Sequence, residues 1–314
     1  MDKLKKIMRR HYGIETDNVV EQQGGWAALA YKMSSHTDSY FLKMYEKSRT
    51  STPKWTALID KYVPIMKWLI ENSHLKGRIP VPLSTTYGEN KCEDSAGIYL
   101  LYEYIDGETI GGKELSDEQV RELAEIIAEL HMYGETIPVE TNAIKEDFEV
   151  PLLTLLQDIL GNDSLLAEEI RTMLQAYRKP LQELVDSVET LSFQMKDREW
   201  KMSLCHTDIH HWNLMQSHRQ LMLIDWEGLK LAPIEADFMC ITGQPYYERF
   251  LYYYKKIHKK VEIDSEALQF YQKRRKVEDI GEFIEQLLFD EQSEQERSVT
   301  TNHLLEELQS IEKK

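Results

Sequence analysis

The residues best suited to chemistry stand together in the second half of the chain, as His206-Thr207-Asp208-Ile209-His210-His211-Trp212-Asn213. Asp225, in Ile224-Asp225-Trp226, follows twelve residues after Asn213. A carboxylate at Asp208 suits the acceptance or orientation of an attacking hydroxyl. The oxygens of Asn213 and Asp225 suit a magnesium ion that bridges phosphates. Phosphoryl transfer is the chemistry this set points to. The spacing has a physical reason: the loop from Asp208 to Asn213 turns the chain so that base and amide face one cleft, and a hairpin returns Asp225 opposite them. The rival reading groups His206, His210, His211 and Asp208 as zinc ligands. It leaves Asn213 and the strand ending in Asp225 without a task, so His206 is read as structural, packing and bonding the loop.

The first third of the chain offers what such a site needs on its other side. Tyr40-Phe41-Leu42-Lys43-Met44-Tyr45 places one lysine within an apolar strand. A lysine on a buried face needs an anion, which phosphates supply, and a carboxylate from a following helix to hold the ammonium. Asp60 and Glu71 are the acids available on that segment, and Asp60, seventeen residues after Lys43, is preferred. The turn Gln22-Gln23-Gly24-Gly25-Trp26-Ala27 sits where a phosphate-covering loop belongs, with Gly24 and Gly25 allowing backbone N–H groups to approach anionic oxygens. It reads equally well as an ordinary hairpin turn. Leu100 to Gly107 is an apolar strand running into a junction, where backbone groups of Glu103, Tyr104 and Ile105 are expected to meet the edge of a nucleotide base.

These residues must be positioned by two kinds of element. Asn18 to Gln23, Leu29 to Ser34 and Tyr40 to Tyr45 read as an antiparallel meander, broken by Gly24-Gly25 and by Ser35 to Asp38. Residues 55–72 carry Leu58, Ile59, Tyr62, Ile65, Met66, Leu69 and Ile70 at helical spacing, with Pro64 expected to kink the segment or start its regular part. Pro82 to Tyr87 and Ile98 to Tyr104 are expected as a strand pair. After Asp106-Gly107 the pattern turns helical. Ser116 is placed to cap a helix, with Gln119 three residues on and Val120, Leu123, Ile127 and Leu130 on one apolar face. Further helices are expected over 151–160, 163–190, 245–258, 264–275, 276–289 and 300–312, interrupted by two short strands between Leu204 and Trp226. The predicted class is α+β. Residues 1–105 are expected to form a small antiparallel nucleotide-binding lobe with one helix, and residues 106–314 a large helical lobe carrying the catalytic loop and substrate site.

Bulk composition narrows the partners. With 314 residues and 42% apolar content, the chain suits a two-lobed globular enzyme. A net charge of −16 repels phosphate backbones and attracts polycationic small molecules, though it also serves solubility alone. Nucleic acid is therefore not expected as a partner. Cys92, Cys205 and Cys240 stand far apart and form no CxxC pair, which fits a reducing cytoplasm. The basic start MDKLKKIMRRHYG leads into no apolar run, so neither a signal peptide nor a membrane anchor is expected. A soluble, cytoplasmic monomer or weak homodimer is the expectation.

Lys43, the LLYEYIDGE junction, HTDIHHWN and LIDWEG together resemble the aminoglycoside phosphotransferase and choline kinase superfamily, whose members share the protein-kinase-like fold. The resemblance spans nearly the whole chain. LCHTDIHHWNLM, LIDWEGLKLAPIEADFM and LQFYQKRRKVEDIGEFIEQLL are most similar to the spectinomycin phosphotransferase branch. The resemblance implies a bilobal kinase-like fold and an ATP- or GTP-dependent, magnesium-dependent phosphotransferase acting on a hydroxyl of an aminoglycoside or aminocyclitol antibiotic. It makes Asp208 the catalytic base, Asn213 and Asp225 the magnesium ligands, and Lys43 the phosphate lysine. Glu235 and Asp237 are implied to stabilise the region after the magnesium strand. Trp212, Glu227, Glu278 and Asp279 are expected on the substrate side, although acids on a helix are as often only a solvated face. A metabolic kinase of choline, homoserine or methylthioribose type would need much the same residues. A non-catalytic structural member is disfavoured by the intact Lys, Asp, Asn, Asp set. HTD in place of HRD, IDWE in place of DFG and the lack of an APE-like segment speak against a protein substrate.

Overall fold

A computed structural model describes residues 1–311 except 23, 26, 163 and 165. The chain divides into two compact units: 1–47 with 52–145 and 202–262, and 48–51 with 146–201 and 263–314. The boundary expected at 105/106 lies inside the first unit.

In the first unit β1 (Asn18–Gln22), β2 (Leu29–Ser34), β3 (Ser39–Glu46), β4 (Cys92–Glu93) and β5 (Gly97–Glu103) form one antiparallel sheet in the order β1-β2-β3-β5-β4. Side chains alternate across a strand, so the sheet has two characters. Leu42 on β3, Met33 on β2 and Tyr99 and Leu101 on β5 pack with Leu4, Ile7 and Met8 of the N-terminal helix α1 (Asp2–Ile7) and its π-helical continuation. The opposite parity on β3 carries Phe41, Lys43 and Tyr45, paired across to Tyr102, Leu100 and Ile98 of β5.

Pro82 to Tyr87 does not form the expected strand. Pro80 and Pro82 have no N–H to give a ladder, a turn occupies 85–88, and Leu83 N–H to Leu101 O (2.7 Å) is the contact made with β5. After the short helix α2 (Thr52–Thr56), α3 (Ile59–Asn72) forms on the apolar spacing foreseen and runs through Pro64, burying Ile59, Tyr62, Val63, Ile65, Met66 and Leu69.

Beyond β6 (Gly107–Thr109) begins α4 (Asp117–Leu130), with the foreseen capping box: Gln119 N–H donates to Ser116 Oγ and Ser116 N–H to Gln119 Oε1. Val120, Leu123, Ile127 and Leu130 are all buried. Two small sheets then frame residues 206–213. β7 (Ser203–Cys205) pairs with β10 (Lys230–Ala232), and β8 (Leu214–Ser217) pairs with both β6 and β9 (Leu221–Leu223). The first unit also contains the helices α7 (Glu235–Ile241) and α8 (Tyr247–Ile257), the latter packed on α4.

In the second unit α5 (Leu153–Gly161), α6 (Glu168–Lys196), α9 (Ser265–Phe289) and α10 (Glu294–Ser310) pack on one another. The two helices expected over 264–275 and 276–289 are one continuous helix, because Arg274, Lys276 and Val277 at the supposed break carry no helix-stopping chemistry. No helix among the described residues is long and apolar enough to cross a membrane.

Candidate active site

The His206–Asn213 motif leaves β7 at Cys205 and enters β8 at Leu214. Two non-glycine residues of this region are left-handed, Thr207 (φ 69°) and Asp225 (φ 65°). Such backbone costs on the order of 1 kcal/mol or more and persists where surroundings over-determine it. At Thr207 those surroundings are explicit. Asp237, fully buried on α7, accepts from the N–H groups of His206 (3.1 Å) and Thr207 (2.6 Å), and Thr207 Oγ1 donates to Gly228 O (2.8 Å). Asp237 also accepts from His131 Nε2 (2.9 Å), whose Nδ1 meets the Tyr254 hydroxyl at 2.8 Å. Burial raises the Tyr254 pKa, so the phenol keeps its proton and donates it to the ring. The resemblance placed Asp237 after the magnesium strand as a stabiliser; its bonds pin the backbone of His206 and Thr207.

His206 is fully buried and spans the motif. Its Nε2 donates to Ile224 O (2.9 Å) and its Nδ1 accepts from Asp208 N–H (3.3 Å), while the ring meets Trp226 edge-on. His210 Nε2 lies 3.4 Å from Asp208 Oδ2, and His211 stacks on Tyr246. The three histidines thus meet different groups: backbone for His206, the Asp208 carboxylate for His210 and the Tyr246 ring for His211. The one convergent group of this kind among the described residues is His131, Cys205 and Asp237. Its carboxylate is occupied by backbone donors, so it anchors the loop.

Asn213 Nδ2 donates to Asp208 Oδ2 and to Asp208 O, both at 2.9 Å, which leaves Oδ1 as the acceptor of that amide. Ile224 N–H bonds Asn213 O (2.9 Å), so the residue before Asp225 is tied to Asn213. Asp225 Oδ1 lies 3.1 Å from Lys43 Nζ. Asp208, Asn213, Asp225 and Lys43, up to 182 positions apart in the chain, therefore form one connected set. Carboxylate and amide oxygens are hard ligands of the kind magnesium takes, and a buried ammonium beside them suits phosphate. The residues fit both groups.

Lys43 also contacts Glu227 Oε1, and Tyr45 donates its hydroxyl to that same oxygen. The lysine and Glu227 side chains are 12% and 7% exposed, whereas Asp225 is 40% exposed. Burial alone would lower the Lys43 pKa, but Asp225 and Glu227 outweigh it and raise the pKa well above the usual value. Burial would likewise raise Glu227, yet Lys43 and the Tyr45 hydroxyl hold it low. Tyr62 and Tyr102 complete the surroundings, both raised chiefly by burial and within electrostatic reach of Glu227.

Two expectations change accordingly. Asp60 does not hold Lys43: its carboxylate bonds Lys91 (3.3 Å) and Asn90 (3.2 Å) and is 55% exposed, because the α3 face turned inward presents Tyr62. Glu71 is exposed. Glu227, expected on the substrate side, is instead engaged with Lys43. Glu278 and Asp279, in the second unit, each bond the arginine four residues earlier, Arg274 (2.9 Å) and Arg275 (2.8 Å). These are i,i+4 pairs along α9, partly enclosed, with Arg274 buried and also paired with Glu146. Trp212, by contrast, is 58% exposed and lies over Gly111, where an added Cβ would sit 3.1 Å from the indole.

At the junction, Tyr104 N–H returns to Ser39 O (3.1 Å), so it is spent within the sheet. By the alternation of an antiparallel ladder, the Glu103 backbone groups, opposite Tyr40, point away from β3. The Tyr104 ring lies under Lys32 Nζ at 3.9 Å, and Lys32, Tyr40, Glu103, Tyr104 and Asp106 line an open cleft. In the β1–β2 turn, Gly24 is required by close approach, since a Cβ would stand 2.7 Å from Ala28 O, while Gly25 faces open space. Gln23 and Trp26 of that turn lie outside the described residues.

Sequence reasoning missed Tyr45, Tyr62, Tyr102 and His131. Tyr45 had a signal, sharing the strand parity of Lys43; the others depend on which helix face and which strand turn inward.

Residues 19–258 match the model of the phosphotransferase enzyme family. No curated protein sequence matches the chain. Among solved structures, spectinomycin phosphotransferase in complex with ADP and spectinomycin is 22% identical, with 99% of this chain and 98% of that one covered and a TM-score of 0.76. A choline kinase from Streptococcus pneumoniae follows at 16% identity, 98% and 98% coverage and TM-score 0.61. A microcompartment-associated aminopropanol kinase matches at 13% identity, 99% and 97% coverage and TM-score 0.63. These likenesses show the fold, an antiparallel sheet followed by a helical part as in kinase-like phosphotransferases. Nucleotide-bound relatives of this kind are small-molecule kinases. With the matched model covering most of its length, the chain belongs to the phosphotransferase enzyme family.

Proposed function

We propose that the protein transfers the γ-phosphoryl of magnesium-bound ATP or GTP to a hydroxyl of a cationic aminoglycoside or aminocyclitol, of the spectinomycin kind, and so acts in antibiotic resistance in the cytoplasm. The connected set of Asp208, Asn213, Asp225 and Lys43 carries this reading. Asp208 accepts the hydroxyl proton and sets the oxygen in line with phosphorus; the new O–P bond forms as the bond to the nucleoside diphosphate breaks. Lys43 and the Gly24–Gly25 turn hold phosphate oxygens. Glu103 and Ile105 read the base edge with backbone groups. Asn213 Oδ1 and Asp225 would hold magnesium, whose charge offsets that of the phosphates. Catalysis is then mainly positioning and charge neutralisation. Residues 1–105 supply the nucleotide side and 106–314 the catalytic loop and acceptor side, where exposed Trp212 offers an aromatic face to an amine.

The likeness to choline and aminopropanol kinases favours a second reading, a metabolic amino-alcohol kinase. The test is magnesium-dependent ADP release across spectinomycin, other aminoglycosides, choline, homoserine and methylthioribose. Asp208→Ala serves as control and should lose turnover by orders of magnitude while still binding nucleotide. Selective turnover of an aminocyclitol supports the first reading; selective turnover of a metabolite replaces it with the second.

A further inference from the structure

The buried end of Lys43 has more partners than phosphate binding alone requires. Its ammonium is shared by Asp225, 40% exposed, and Glu227, 7% exposed. Glu227 follows Asp225 by two residues in the 3₁₀ turn Trp226–Gly228, and both α2 and α3 pack against that turn. The acids of α3 point elsewhere: Asp60 bonds Lys91 and Asn90, and Glu71 is exposed. What α3 turns inward is Tyr62, whose hydroxyl is buried without a hydrogen-bond partner among the described residues.

We propose that Glu227 is the positioning carboxylate for Lys43, holding the ammonium toward the nucleotide phosphates in the role a helix acid would otherwise fill. This rests on the phosphotransferase reading above. The geometry divides the two carboxylates by task. Asp225 is open enough to exchange Lys43 for a metal ion. Glu227 is enclosed, and its oxygen already accepts from both Lys43 and Tyr45. Turning it toward metal or acceptor would strand a buried ammonium and a buried phenol, an unfavourable exchange. Glu227 therefore stays with Lys43 when Asp225 turns to the metal, and Tyr45 fixes which carboxylate oxygen faces the lysine.

The experiment measures binding of a fluorescent ADP analogue, with and without magnesium, to the full chain and to Lys43→Met, Glu227→Gln, Glu227→Asp and the Lys43→Met/Glu227→Gln double variant. Thermal melts verify folding. Glu227→Gln is expected to weaken ADP about tenfold in both conditions. The double variant should be no weaker than Lys43→Met alone, because Glu227 acts through the lysine. Glu227→Asp, which keeps the charge, should recover part of the loss; it also serves as the test variant if Glu227→Gln fails to fold, in which case its loss should vanish on adding Lys43→Met. Loss confined to the magnesium condition would make Glu227 a metal ligand and overturn the proposal, as would unchanged ADP binding with a raised acceptor KM, or additive losses with Lys43→Met. Failure of the full chain to bind ADP at all would instead overturn the phosphotransferase reading beneath it.

Discussion

Replacing Asp237 by Asn tests how the loop is held. The carboxylate accepts three hydrogen bonds in a fully buried site: His206 N–H, Thr207 N–H and His131 Nε2. An amide of the same shape keeps one oxygen. The backbone bonds that remain lose their charge assistance, about 1 kcal/mol each. The amide nitrogen then faces a donor, which leaves at least one buried N–H unsatisfied at about 1–3 kcal/mol. The His131 ring can relieve this by changing tautomer, but only by surrendering the acceptor that Tyr254 uses. The total is about 3–4 kcal/mol, and its local consequence is a Thr207 free to leave the left-handed conformation, moving Asp208. Urea unfolding should show this loss in Asp237→Asn. Turnover should fall by two orders of magnitude or more, since a 1 Å misplacement alone can cost about a hundredfold, while nucleotide affinity changes little. A variant within 1 kcal/mol of the parent and with its turnover would refute the argument.

Other outcomes follow from features already described. Lys43→Met should weaken ADP binding about tenfold or more, read by the same fluorescence titration, without loss of the cooperative melt. Gly24→Ala places a methyl 2.7 Å from Ala28 O and should lower both melting temperature and nucleotide affinity, whereas Gly25→Ala, facing open space, should leave the melting temperature unchanged. At Asp94 burial works against ionisation, but Lys3, the N–H groups of Ala96 and Gly97 and the Tyr99 hydroxyl prevail and bring the pKa to about 2. A lowered pKa gives stability present above the unfolded value near 4 and lost toward pH 2. The melting deficit of Asp94→Asn should therefore shrink as pH falls through that window. Asp279 has the opposite sign, since burial raises it to about 6 despite Arg275. Its contribution becomes less favourable as pH rises from about 4 to 6, so Asp279→Asn should gain in melting temperature relative to the parent at pH 7 compared with pH 4.

What could be read from the sequence was what is encoded over short distances. The spacing from Asp208 to Asn213, the β8–β9 return to Asp225, the Ser116 capping box and the two-residue alternation around Lys43 are local, and each is present in the fold. The partner of Lys43 is not local. Glu227 lies 184 positions away, and its choice over Asp60 depends on α3 turning Tyr62 inward and on the turn after β9 delivering a second acid beside the first. Pro82 to Tyr87 misled because apolar and threonine residues suggest a strand, while Pro80 and Pro82 remove the donors that would build one. Over α9 the sequence leads to an expectation of two helices meeting at 275/276, where the structure has one. Arg274 is in fact buried against Glu146, an ion pair that periodicity of apolar residues does not register.

The alternation on β3 has an evolutionary corollary. Leu42 seals the layer beneath the N-terminal helix, and its neighbour Lys43 projects from the other side. Deleting one residue within this strand would exchange the two, driving an ammonium into the hydrocarbon layer and withdrawing it from Asp225 and Glu227. Folding and chemistry would fail together. Descendants of this gene are therefore free to vary the length of the Ser35–Asp38 turn, but β3 itself is barred from single-codon insertions and deletions, with selection on activity and selection on solubility enforcing the same reading frame of faces.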